Sequence, residues 1–221
     1  MAIVTSISGF SGSGKTRSTK SLMTDYDKDK VLIIRPGKKP ISYKNEWDKW
    51  NPEAKKGHWI YVNSYEEVIG ALKAFSNTYN KKIIIIDDST FFMTKFFMNT
   101  AFERGFDKFT LNAVGYYNMI QTAENLDDDV RVYLINHLEE TSSGRTKIKT
   151  IGKLLDDKVD IPSLLTVVLR ANKDGDEYVF HTQSNGSDDV KSPDGMFETD
   201  KIPNDLNLVD SAICEYWNIK R

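Results

Sequence analysis

Residues 9 to 16 read Gly9-Phe10-Ser11-Gly12-Ser13-Gly14-Lys15-Thr16 and meet the spacing G-x-x-x-x-G-K-[ST] at every fixed position. That stretch leaves few folds open. Its glycines permit a tight turn and expose backbone N–H groups to phosphate oxygens. A strand must deliver the chain into the turn. A helix must leave it, so that a positive N-terminal end faces the same anion. The flanking residues supply both. Residues 3–7 alternate and are β-branched, which reads as a short buried strand. Residues 17–23 read as a helix. Lys15 is then expected to reach the β- and γ-phosphates of ATP, and the Thr16 hydroxyl to ligate Mg²⁺. Ser11, Gly12, Ser13, Gly14 and Arg17 complete the expected cofactor-binding set. The bland alternative, a chance match in a flexible Gly/Ser loop, lacks an explanation for the strand before and the helix after.

A second stretch agrees with the first. Ile83-Ile84-Ile85-Ile86 is a run of β-branched residues, which predicts a strand buried on both faces, as in a parallel sheet. It ends in Asp87-Asp88. A carboxylate at this edge, Asp87, is the expected partner of Mg²⁺ through a water. Asp88 has two readings that the residues leave open: an acid polarising the attacking water, or an N-cap for the segment that follows.

Further strands are expected at 31–34, 59–62, 130–135, 164–169 and 178–182. Helical spacing covers 65–79, with apolar residues at Val68, Ile69, Leu72 and Phe75, and helices are also expected near 90–104, 110–125 and 206–217. Asn172-Lys173-Asp174-Gly175 is a turn signal that folds 164–169 and 178–182 into an antiparallel hairpin. Residues 36–57, 139–153 and 184–205 read as irregular. No repeat and no linker divides the chain. Strands alternating with helices predict one α/β domain over residues 1–221, with a mostly parallel central sheet, flanking helices and a C-terminal antiparallel hairpin.

Composition limits the functions such a domain could serve. Of the 221 residues, 39% are hydrophobic and 28% charged, enough for a core and too ordered in pattern for a disordered chain. The net charge of −2 does not suit a protein that coats DNA over its whole surface, so any nucleic-acid contact must be a local patch. The lone Cys214 reads as a small apolar residue of the last helix and forms no intrachain disulfide. No stretch has the roughly 18 to 20 apolar residues of a membrane span. The first residues do not read as a signal peptide. A cytoplasmic protein is expected.

Three groups of residues refine the reading. Asn136 and His137 follow the strand at 130–135, where a polar residue can sense the γ-phosphate or position water; a simple polar strand end is the alternative. Residues 144–153 carry Arg145, Lys147, Lys149 and Lys153 with no acid and a glycine near each end, the kind of basic segment that binds a phosphate backbone. Arg104 and Lys108 interleave with Phe106 and Phe109, and aromatics there could stack on the bases of a single strand. For both basic segments the alternative is ordinary surface or core packing.

With the loop at 9–16, the run Ile83 to Asp88, the segment Leu134-Ile135-Asn136-His137-Leu138 and the tail Val190-Lys191-Ser192-Pro193-Asp194-Gly195-Met196-Phe197 on the page, the chain resembles the phage-encoded RecA-like P-loop ATPases, some of which are single-strand annealing proteins. The resemblance extends over nearly all of the sequence. It implies a RecA-like ATPase that binds ATP and Mg²⁺, acts on single-stranded DNA in annealing or strand exchange, assembles as a filament or ring, and works beside a single-strand-binding protein in the host cytoplasm. It places the second DNA-binding loop at 139–153 and the first near 104–110. It also implies that Lys191 reaches the ATP of a neighbouring subunit in trans. One departure stands out: the strand at 31–34 ends in Arg35-Pro36-Gly37, where such ATPases often carry a catalytic acid. Two other classes stay open. One is a P-loop kinase for a nucleoside or other small molecule, which usually brings several arginines over the phosphates. The other is a nucleotide-dependent scaffold that hydrolyses little.

Overall fold

A computed structural model describes residues 1–23, 28–38, 40–44 and 47–221. Among the described residues, nine strands form one sheet in the order β3-β2-β4-β5-β1-β7-β8-β9, with β6 attached to β5. In chain order these are β1 (Ile3–Gly9), β2 (Val31–Arg35), β3 (Trp59–Tyr61), β4 (Ile83–Ile86), β5 (Arg131–Glu140), β6 (Thr146–Ile148), β7 (Val167–Asp174), β8 (Glu177–His181) and β9 (Lys201–Pro203). Strands β3, β2, β4, β5, β1 and β7 run parallel. β6, β8 and β9 are antiparallel to their neighbours. The helices are α1 (Tyr65–Asn77), α2 (Phe91–Asn99), α3 (Asp107–Glu124), α4 (Lys153–Lys158) and α5 (Leu206–Tyr216).

The period of two along each strand divides the core between the two faces of the sheet. Val4, Leu32, Ile34, Ile84, Ile86, Val132 and Leu134 pack with α1, α2 and α3. Ile7, Val31, Ile33, Ile83, Ile85, Tyr133 and Ile135 pack with α5 and with Leu22. The isoleucines of β4 therefore serve both faces, and all are buried. α1 starts where Ser64 accepts a hydrogen bond from the Glu67 N–H, and α5 where Asp205 accepts one from Leu208. A buried ion pair anchors α5 to the sheet: Arg131 Nε of β5 donates to Asp210 Oδ1 at 2.9 Å and Tyr133 donates to the same oxygen at 2.7 Å.

Several expected elements take a different form. The segment after the phosphate loop is a 3₁₀ helix over Thr16–Met23. The hydroxyls of Ser18, Thr19 and Ser21 each bond the carbonyl three residues back, which tightens the winding. Residues 139–153 are not a free loop. β5 continues to Glu140 and pairs with β6, setting Glu139 opposite Lys147 and Leu138 opposite the buried Ile148. α4 then buries Leu155. The tail at 184–205 is mostly irregular but contributes β9 and a bridge from Lys191 to Val168. The strand expected at 164–169 begins at Val167, because residues through Leu164 form a 3₁₀ turn around Pro162. The hairpin of β7 and β8 forms as expected. Within 36–57, Trp47 sinks into one face of the core, while Trp50 packs edge-on against Phe75 and Tyr79 on the other. Those two anchors hold the excursion against the sheet.

Candidate phosphate site

Parallel strands bring their C-terminal ends to one edge, and ligands of open α/β sheets bind there. β1 delivers the phosphate loop to that edge. Gly12 and Gly14 take φ of +80° and +92°, which L side chains rarely adopt. Gly14 also has no room: a Cβ there would lie 2.6 Å from the Tyr178 ring.

Lys15 is 7% exposed, and its Nζ donates to Gly9 O at 2.7 Å and Phe10 O at 2.8 Å. Burial pulls the ammonium down from 10.5 to about 8, against the opposing pull of Asp88 and Asp87. Such a group is held by weak acceptors and gains most from an anion. Thr16 Oγ1 donates to Asp87 Oδ1 at 2.9 Å across 71 residues of sequence. Desolvation raises the Asp87 carboxyl, opposed by the Thr16 bond and by Arg35.

The hydroxyl and the carboxylate expected to hold Mg²⁺ are thus already in contact. This is a fitting pair, because Mg²⁺ beside a polyphosphate takes most of its ligands from phosphate and water and needs only one or two from protein. Among the described residues no group of three His, Cys, Asp or Glu could hold a metal by itself.

Arg35, at the end of β2, is the residue the sequence reading noted only as a missing acid. Its Nε lies 4.0 Å from Asp87 Oδ2, and its guanidinium rests over Tyr61 and Trp59 at 5.6 and 5.9 Å. Sequence spacing could not show this, since β2 and β4 become neighbours only in the sheet. Tyr43, in the excursion, shares a 2.6 Å hydrogen bond with Thr19 and accepts one from Trp47 at 2.9 Å. Part of residues 36–57 therefore lines the phosphate loop's own helix.

Asp88 has φ of +67°, accepts from Thr90 at 3.2 Å and lies 3.5 Å from His137 Nε2. Its side chain is 38% exposed and that of His137 39%, so both face solvent beside Asp87. The N-cap reading of Asp88 is not realised: the residue before α2 is Thr90, and the helix has no side-chain cap. Asn136 is fully buried. Its Oδ1 accepts from Ser89 and from Tyr116 at 3.1 Å, and its Nδ2 donates to Ser6 at 2.8 Å. The amide is spent on tying β1, β5, α3 and the turn after β4 together.

The remaining predicted residues are spread out. Ser11, Gly12 and Arg17 are exposed, and the guanidinium of Arg17 sits 4.8 Å over the Tyr178 ring. Ser13 is buried with its Oγ unpartnered. Lys191 is fixed by two backbone bonds with Val168 on the flank of β7. Of the basic residues, Arg145 pairs with Asp189 at 3.3 Å, and Lys147 pairs with Asp156 and, at 3.5 Å, Glu139. Lys108 donates to the carbonyls of Thr100, Ala101 and Glu103 and closes the end of α2. Arg104, Lys149 and Lys153 are exposed. Beside Arg104, Phe102 is 100% and Phe106 85% exposed, so neither ring serves the core.

No protein-family model matches the chain, and no curated protein matches it either.

Proposed function

We propose that this chain is a RecA-like ATPase that binds ATP with Mg²⁺ and uses it to hold single-stranded DNA during annealing or strand exchange, in the manner of phage recombination proteins. The 2.9 Å contact between Thr16 and Asp87 carries the nucleotide half of the reading. It joins the last residue of the phosphate motif to the carboxylate at the end of an apolar strand. Around it, Lys15 supplies a buried cation for the β- and γ-phosphates. Bound Mg²⁺ would neutralise phosphate charge between Thr16 and Asp87. Asp88, exposed beside His137, is the carboxylate in reach of an attacking water.

The DNA half draws support from the exposed Phe102 and Phe106 next to Arg104. Unburied aromatics beside a cation are what stacking on single-stranded bases requires. Lys149 and Lys153 add exposed charge, whereas Arg145 and Lys147 already have carboxylate partners. A filament or ring in which Lys191 reaches a neighbour's ATP, and a single-strand-binding protein as partner, belong to the same proposal.

A second reading, a nucleotide-dependent scaffold with little turnover, is favoured by one observation: Arg35 stands at the end of β2 and engages Asp87. Turnover assays separate the two. Hydrolysis stimulated by single-stranded DNA, abolished by Lys15→Ala, supports the recombinase. Tight ATP binding without DNA-stimulated turnover supports the scaffold. A phosphorylated small molecule made by the purified protein would replace both with a kinase.

A further inference from the structure

The sheet order gives the phosphate loop two different sides. Thr16 meets Asp87 on the side of β4 and β5, whereas β7, β8 and β9 lie on the other side of β1. A triphosphate whose metal-binding end sits at Thr16 and Asp87 therefore extends its nucleoside toward β8 and β9.

The residues found there suit a nucleoside. Tyr178 of β8 lies against Gly14, with its ring half-exposed. The exposed Arg17 guanidinium stands 4.8 Å over that ring, and Lys173 Nζ lies 5.8 Å from it. An aromatic face and a planar guanidinium are both surfaces on which a base stacks. Asn204, next to β9, is 7% exposed, yet neither its Oδ1 nor its Nδ2 has a partner. Its Oδ1 points at the loop, 3.2 Å from where a Cβ on Gly14 would be. Buried amides are nearly always hydrogen-bonded, so an orphaned one aimed at a phosphate loop asks for a ligand. An amide offers a donor and an acceptor side by side, as the edge of a nucleobase does.

We propose that Tyr178, Arg17 and Asn204 form the subsite for the nucleoside of the bound triphosphate, with the base stacked on the Tyr178 ring beneath Arg17 and Asn204 meeting its polar edge. The proposal rests on the reading of residues 9–16 as a triphosphate loop and adds the group that distinguishes a nucleotide from a bare polyphosphate. Entry of the base requires that the exposed Arg17 side chain lift from the ring and that the covered amide of Asn204 open to the base.

Calorimetry with MgATP and with magnesium tripolyphosphate tests it on the full chain. The wild type should bind ATP about tenfold more tightly than tripolyphosphate, the scale of one stacked base. Tyr178→Ala should lose about that factor for ATP and keep its tripolyphosphate affinity, Tyr178→Phe should retain both, and Asn204→Leu should weaken ATP alone. Equal wild-type affinities for ATP and tripolyphosphate overturn the subsite and leave the loop reading standing. So does a Tyr178→Ala variant that binds ATP as the wild type does. Failure of the wild type to bind either compound overturns the loop reading and the subsite with it. Should Tyr178→Ala not fold, the wild-type comparison and the Asn204→Leu variant decide the matter.

Discussion

At the scale of single residues, Lys15 is a site group whose chemistry burial displaces far from that of ordinary water. Its ammonium is buried against two carbonyls, and its pKa falls from 10.5 to about 8. A lysine with a depressed folded-state pKa binds fewer protons than the unfolded chain between those values. Stability therefore rises with pH from about 8 to 10.5, and the burial penalty is fully present below that window. A bound polyphosphate would restore the charge. Binding of ATP near pH 8.5 should then take up a proton, and ATP affinity should fall as pH rises above about 8. Calorimetry in buffers of different ionisation enthalpy measures that uptake; binding with no proton exchange would show that Lys15 does not face the phosphates. The sequence made Lys15, Thr16 and Asp87 legible because strand, turn and helix are written locally. It could not reveal Arg35 beside Asp87, or Tyr43 beside Thr19, since those pairs exist only once β2 and the excursion are laid beside the loop.

At the scale of elements, the strands best read from sequence are those buried on both faces, β1, β2, β4 and the first half of β5, where apolar runs leave no other solution. β6 and β9 escaped because three-residue strands with one or two polar side chains carry no periodicity, and their existence depends on a neighbour. Helix α5 depends on one interaction more than its sequence suggests. Arg131 and Asp210 are 1% and 0% exposed in their side chains. Truncating Asp210 to alanine leaves a buried guanidinium unpaired, which costs about 3 to 5 kcal/mol. Urea unfolding should show a loss of that size, whereas replacement of the exposed Glu215 should change little. The turn between α2 and α3 makes a different kind of prediction. Phe102 and Phe106 lie outside the core, so changing both to alanine should leave the melting temperature nearly unchanged. The same change should weaken single-stranded DNA binding by about tenfold or more, as loss of stacked bases does. A binding titration that shows no loss would remove this segment from the DNA surface. Reversing the charge of Lys149 and Lys153 should flatten the salt dependence of the same titration.

At the scale of the whole molecule, the described chain is one sheet with helices on both faces, and no described helix is long and apolar enough to cross a membrane. The core is split between the two faces by the alternation of side chains along the strands. With ATP and single-stranded DNA together, electron micrographs should show filaments or rings that are absent with either ligand alone. Lys191→Ala should abolish them while leaving ATP binding by the dispersed protein intact. Persistent monomers with both ligands would count against action in trans.

The placement of β1 has a consequence for how the protein comes into being. Its neighbours are β5, paired from Ile3 with Arg131, and β7, paired from Thr5 with Val167. A ribosome adding about 5 to 20 residues per second would leave the phosphate loop without its flanking strands for roughly ten to thirty seconds. A nascent chain released before β7 has emerged should not yet retain nucleotide, however complete its Gly9–Thr16 motif. Contacts so distant in sequence are also slow to form. The most local signature in the sequence thus matures only after strands more than a hundred residues away have been made.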